Sequence, residues 1–191
     1  MGRRSLKEER VGQILLALFT SLEQYGYAGT TLERVSKISG MSRSHIRHYV
    51  GNREALLKAG AHAFFVHDEV EIPENEDVEE QRRAVLEWLF GDDFVEPGRP
   101  NRIVRAFFDA SNDYPNISKI VGNSYEHRYT SIAALLRRSI PTADEAEIRR
   151  RASVILLLAL GNAYIADVDF TYVSEGHARA ASEALLEREV L

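Results

Sequence analysis

The 191-residue chain has no cysteine. Disulfides, thiolate metal sites and thiol nucleophiles are therefore excluded from the outset. It also lacks a long apolar run. Its longest uncharged stretch, Ala152 to Ala166, falls short of the roughly 20 residues a spanning helix needs. Met1 to Arg10 is polar and basic, with no apolar core of a secretory signal behind it. These absences predict a soluble, cytoplasmic protein with no membrane partner. No strand-like alternation, internal repeat or low-complexity tract is found, so the expected fold class is all-α, with about nine helices. Metal-ligand spacing is missing too. His62 and His67 are five apart, a poor match to one helical face, and no metal or cofactor is expected.

What the chain does contain is unevenly distributed. A hydrophobic content of 45% is ordinary for a globular protein with a real core, and the formal net charge is −5. Residues 1–60 hold ten Lys/Arg against five Asp/Glu, a net of +5; the remainder holds fourteen against twenty-four, a net of −10. A basic head on an acidic body is the asymmetry expected when the head alone approaches phosphates.

The head begins with an arm, Arg3, Arg4, Lys7 and Arg10. A helical stripe follows at Val11, Ile14, Leu15, Leu18, Leu22 and Tyr25. Gly26 is placed to end that helix in the left-handed conformation. From Thr30 to Leu57 the spacing predicts a helix-turn-helix. Thr30 with Glu33 reads as a capping box, and Leu32, Val35 and Ile38 form an inward stripe. Gly40 stops the first helix, and Ser42 caps the second. On that second helix Ile46, Tyr49 and Val50 share one face, whereas Arg43, Ser44, Arg47 and His48 share the other. A short helix that is half apolar and half cationic donor suits the DNA major groove. An αα-hairpin with a solvated basic face has the same periodicity.

The stretch resembles the DNA-binding domain of the TetR family of transcriptional regulators. The likeness runs without gaps through Ile14-Leu15, Leu18-Phe19, Tyr25-Gly26-Tyr27, Thr30-Thr31-Leu32, Val35-Ser36, Ser39-Gly40-Met41-Ser42, Ile46 and Asn52-Arg53-Glu54-Ala55-Leu56-Leu57. It implies a helix-turn-helix DNA-binding domain at 1–57 and a helical effector-binding and dimerisation domain at 58–191. The implied DNA contacts are Thr31, Ser42, Arg43, Ser44, His45, Arg47, His48, Tyr49 and Arg53. The chain departs from the family where a phosphate-contacting Tyr is replaced by Arg47 and a His by Tyr49. Both replacements can still bond a phosphate.

Beyond the recognition helix the pattern predicts a connecting fourth helix and a C-terminal bundle of five more. Asn52 caps a fourth helix to about residue 70, and Asp77 a fifth. The breakers between Gly91 and Pro100 mark a loop before a helix at about Asn101–Asn112. Pro115 opens the next helix, and Thr142 with Glu145 is expected to cap one that is apolar on all sides from Ala152 onward. A last helix, opening at Ser174 or Glu175, is rich in alanine. These last two helices are the expected seam of a homodimer. Aromatic and polar side chains in the middle helices suggest a small-molecule site, with Phe64, Trp88, Phe107, Phe108, Tyr125, Tyr129 and Asn162 as candidate ligand contacts. The resulting expectation is a ligand-responsive regulator that binds a palindromic duplex as a repressor and is not an enzyme. A helical enzyme acting on a small apolar substrate, and a DNA-binding dimer without effector, stay open as alternatives.

Overall fold

The computed structural model describes residues 6–65, 77–91, 99–165 and 176–187. Among these residues there are nine helices and no strand. They are α1 (Leu6–Gly29), α2 (Leu32–Ser39), α3 (Arg43–Val50), α4 (Arg53–Phe65), α5 (Val78–Phe90), α6 (Arg99–Asp113), α7 (Pro115–Ser139), α8 (Glu145–Ile165) and α9 (His177–Leu186). The helices form two units, one drawn from Met1–Asp68 with Arg102–Ser124, the other from Glu69–Asn101 with Tyr125–Leu191. The segment 1–57 lies within unit one, which also takes in α4 and the adjoining parts of α6 and α7.

Unit one is built on the predicted helical stripe. Ile14, Leu18 and Leu22 of α1 are fully buried, as are Val35, Ile46 and Leu57, one from each of the next three helices. Tyr25, the last member of the stripe, instead stays about half exposed beneath the Arg34 guanidinium, 4.0 Å from its ring centre. Gly26 breaks α1 at the expected residue but not in the expected way. Its φ of 63° is positive while its ψ is −175°, and helical backbone resumes as far as Gly29.

At Gly60, α4 comes close to α1. A Cβ there would stand 2.4 Å from Leu18 Cδ2 and 3.4 Å from the Phe107 ring. Leu18 and Phe107 are both fully buried and have little room to retreat. Gly60→Ala is therefore expected to cost about 1–3 kcal/mol through overpacking, despite the better helix propensity of alanine. Chemical denaturation checks this, and an unchanged midpoint would show that Leu18 can re-rotamer freely.

Unit two gathers Val85, Leu89 and Phe90 of α5, Ile132, Leu135 and Leu136 of α7, Ile148, Ile155 and Ala159 of α8, and Leu186 of α9. Helix α8 does not bury all of its apolar surface within the chain. Ala152, Ile155, Ala159 and Ala163 form the inward row, while Val154, Leu157 and Ile165 are 37%, 66% and 37% exposed. The start of α8 also corrects the sequence reading. Asp144, not Thr142, is the cap, its carboxylate accepting from the Glu147 amide at 2.8 Å, and Glu145 pairs with Arg137 instead. Asp77 occupies the cap position of α5 without a side-chain bond. The predicted extension of α4 beyond residue 65 and the start of the last helix at Ser174 or Glu175 lie outside the described residues, as do Arg3 and Arg4. Lys7 and Arg10 are part of α1.

Candidate nucleic-acid interface

The turn between α2 and α3 is held by its own small side chains. Gly40 sits in the left-handed region (φ 69°, ψ 8°), which a residue with a Cβ adopts only at a cost. The Ser36 hydroxyl donates to the Met41 carbonyl at 2.5 Å, and the Met41 amide donates to Ser39 Oγ at 3.2 Å. Ser42 then caps α3, accepting from the His45 amide at 3.2 Å. The entry to α2 differs from expectation. Thr31 is the cap, extended at φ −123° and accepting from the Arg34 amide. Thr30 faces inward, donating to the Gly26 carbonyl at 2.8 Å and lying 3.0 Å from Ser21 Oγ. A capping residue must stand just outside the helix with its oxygen turned back over the first turn, and Thr30 is one position too early.

With both helix starts and the turn fixed, the orientation of α3 is set by Ile46, which is fully buried. Tyr49 and Val50 are half-buried on the same side. Arg43, Ser44, His45, Arg47 and His48 are all exposed, so the predicted outer face is presented to solvent as one cationic, donor-rich surface. Ser42 and Thr31 are exposed at its edges. Ile38 departs from the predicted inward stripe of α2, being 37% exposed. Lys37, beside it, pairs with Glu33 at 3.2 Å, but both side chains are mostly exposed, and such a pair contributes little stability.

Arg53 is placed differently from the other expected DNA contacts. Its Nε donates to the Thr30 carbonyl at 2.8 Å, and one terminal nitrogen donates to the Tyr27 carbonyl at 2.7 Å. The other terminal nitrogen is 3.3 Å from the hydroxyls of both Tyr27 and Tyr114. The guanidinium also lies 4.4 Å from the centre of the Tyr27 ring. Tyr27 in turn donates to Asp113. Burial and the Asp113 bond push the Tyr27 phenol above its ordinary pKa, against the opposing pull of Arg53, so the hydroxyl keeps the proton it donates. The only hint of this cluster in the sequence was an arginine in the first turn of a helix, where the dipole disfavours a cation. Its partners are 23, 26 and 61 residues away.

The candidate ligand contacts divide between the units. In unit one Phe64 and Phe107 pack ring against ring, with Phe65 and Phe19 beside them, and Phe108 is half-buried. In unit two Trp88, Tyr125, Tyr129 and Asn162 are half-buried. The buried Arg128 guanidinium lies 5.6 Å from the Trp88 ring centre and 5.0 Å from that of Tyr125. Burial pushes the Arg128 pKa down to about 10, still well above neutrality, so the group is a permanent cation against two aromatic faces. Nothing local in the sequence marks Arg128 as a buried arginine. Among the described residues no group of three metal-ligating side chains occurs, and no helix is long and apolar enough to cross a membrane.

No protein-family model matches the chain. Over 203 aligned residues it is 25% identical to the HTH-type transcriptional regulator BetI 1 of Chromohalobacter salexigens, covering 96% of this chain and 98% of that protein. Its fold is similar to that of a TetR transcription regulator from Haloarcula marismortui, with a TM-score of 0.79 at 17% identity over 94% of this chain and 97% of the other. A Saccharomonospora viridis protein solved in complex with choline is similar at a TM-score of 0.75 and 16% identity, over 94% of this chain and 96% of that one.

Proposed function

We propose that this chain, similar along nearly its whole length to an HTH-type transcriptional regulator, is a TetR-family regulator that binds a palindromic operator as a homodimer, acts as a repressor, and releases the operator when a small molecule binds its C-terminal helices. It is a regulator and not an enzyme. The observation that carries the reading is the outer face of α3. Arg43, Ser44, Arg47 and His48 stand clear of the core on a helix whose pose is locked by Ser42, Ile46 and the Gly40 turn.

Position on the helix divides the labour. Arg43, in the first turn, is assigned to base reading, with guanine as the expected partner. Arg47, one turn later, is assigned to a backbone phosphate, supported by Ser44, His48, Thr31, Ser42, His45 and Tyr49 around it. One such helix reads only a few base pairs, so specific affinity calls for two copies acting on half-sites about 34 Å or a multiple apart. The apolar face of α8 left open at Val154, Leu157 and Ile165, with the exposed Ala180, Ala181 and Ala184 of α9, supports a second copy of the chain as the partner. The protein would act in the cytoplasm, where its operator lies.

For the effector, the aromatic and amide groups of unit two support Trp88, Tyr125, Tyr129 and Asn162 as contacts; Phe64, Phe107 and Phe108 of unit one are candidate contacts on their own account. The choline bound by the similar Saccharomonospora viridis protein is a quaternary ammonium. In this chain Arg128 already lies against the Trp88 and Tyr125 rings, so a choline-like cation would have to displace the guanidinium from those faces.

Selection from a library of randomised duplexes with the full-length chain tests the central reading. Enrichment of a sequence with two inverted half-sites is expected, and the same selection with Arg43→Ala should relax preference at one position of each half-site, worth about 1–3 kcal/mol of discrimination. A pool that stays random, or a base preference indifferent to Arg43, would overturn it.

A further inference from the structure

Family resemblance assigns Arg53 to the DNA backbone, but its surroundings give it another task. We propose that Arg53 is a positioning residue for DNA binding, one that locks the α1–α2 turn to the junction of α6 and α7, and not a phosphate contact. The inference rests on the DNA-binding function proposed above.

A guanidinium has five N–H donors. In Arg53 four of them are directed at acceptors of its own chain: the carbonyls of Tyr27 and Thr30 and the hydroxyls of Tyr27 and Tyr114. One N–H remains, and the paired fork that makes arginine a strong phosphate ligand is already engaged. The two carbonyls belong to the turn that delivers the chain into α2, and the Thr30 carbonyl immediately precedes the Thr31 cap. Holding both oxygens fixes where α2 starts. The turn at Gly40 then carries that constraint into α3.

The other end of the cluster lies at the junction. Asp113 is the last residue of α6 and accepts from Tyr27, and Tyr114 stands between α6 and α7 and accepts from Arg53. The Tyr27 and Tyr114 rings meet edge to face at 6.4 Å. A displacement of the α6–α7 junction therefore pulls on the same guanidinium that positions the entry to the helix-turn-helix. Lysine could not replace it, because a single ammonium cannot span two carbonyls and two hydroxyls in a plane.

Salt dependence separates the two roles. A phosphate contact contributes about 0.9 to the slope of log K against log salt, whereas a positioning residue contributes to affinity alone. Binding of the full-length chain to its selected duplex would be measured across a salt series for Arg53→Gln, Tyr114→Phe, Asp113→Asn and the Arg53→Gln/Tyr114→Phe double variant. Thermal midpoints would be recorded in parallel to verify folding. We expect Arg53→Gln to weaken binding about tenfold with the slope unchanged, and Tyr114→Phe, which removes one oxygen from a residue outside the recognition helix, to weaken it about threefold. The double variant should lose less than the product of the two. A slope reduced by about one per protomer on Arg53→Gln would restore the phosphate contact and overturn the inference. Full affinity in both Tyr114→Phe and Asp113→Asn would overturn it as well. Failure to select any duplex would instead remove the DNA-binding reading itself.

Discussion

Arg47→Ala is expected to weaken binding to every duplex, selected or random, by about tenfold or more for each half-site. The slope of log affinity against log salt should fall by about 0.9 for each protomer engaged. Arg47 is exposed on the outer face of α3 one turn beyond Arg43, and the buried Ile46 beside it prevents the helix from rolling that face away. An always-charged fork at this position releases counterions from the duplex when it meets a phosphate, which is why the effect should appear in the salt series as well as in affinity. Arg47→Lys should retain the slope and lose part of the affinity, since the charge stays and the bidentate geometry goes. Fluorescence anisotropy on a labelled duplex at several salt concentrations measures both quantities. An alanine variant with wild-type slope would show that α3 approaches the groove by a different face.

Arg151→Ala should have the largest effect on stability, about 3 kcal/mol. Arg151 is 3% exposed in the second turn of α8. Two of its nitrogens grip Glu147 Oε1 at 3.0 and 2.7 Å, and the third donates to the carbonyls of Leu185 and Glu187 at 2.9 and 3.0 Å. Those carbonyls lie at the C-terminal end of α9, where oxygens lack partners within the helix and a cation is favoured by the helix dipole. Truncation would strand them and leave the Glu147 carboxylate, its side chain 35% exposed, with only the longer contact to the exposed Arg150 at 3.7 Å. That partial exposure lets Glu147 recover some hydration and holds the cost near the lower end of the range for a broken buried pair. Arg151→Met, which restores volume without donors, should recover little of the loss. Because Arg151 also ties α9 to α8, the proposed homodimer should dissociate at higher protein concentration in the variant, as seen by sedimentation. An unchanged denaturation midpoint would mean that α9 is held to α8 by its apolar contacts alone.

Features governed by local backbone chemistry were legible in the sequence. The Gly40 turn, the Ser42 and Asn52 caps and the start of α7 at Pro115 all fall where residue type predicts, since each depends on its own φ or on an amide three residues away. Errors arose where neighbouring residues offered the same chemistry. Thr30 and Thr31 are both capable caps, as are Thr142 and Asp144, and the direction of the incoming chain decides between them. Spacing places Ile38 inward, yet an eight-residue helix buries only as much surface as its neighbours cover. What spacing could not supply was the partner of each long cation. Arg53, Arg128 and Arg151 read alike in a sequence. They become a turn lock, a cation against two aromatic rings and a helix-end clamp through at least one partner tens of positions away in each case, even though Tyr125 and Glu147 lie close in sequence to Arg128 and Arg151.

The way α3 is held has a consequence for how its specificity could change. Its anchors are Ser42, Ile46 and the hydroxyls of the preceding turn, and none of these is among Arg43, Ser44, Arg47 and His48. All four side chains are exposed, and His48 alone meets a neighbouring ring, that of Tyr49 at 5.2 Å. On the proposed reading of α3 as the DNA-contacting helix, substitutions there would change the operator preference without endangering the scaffold, so new target genes would lie only a few substitutions away.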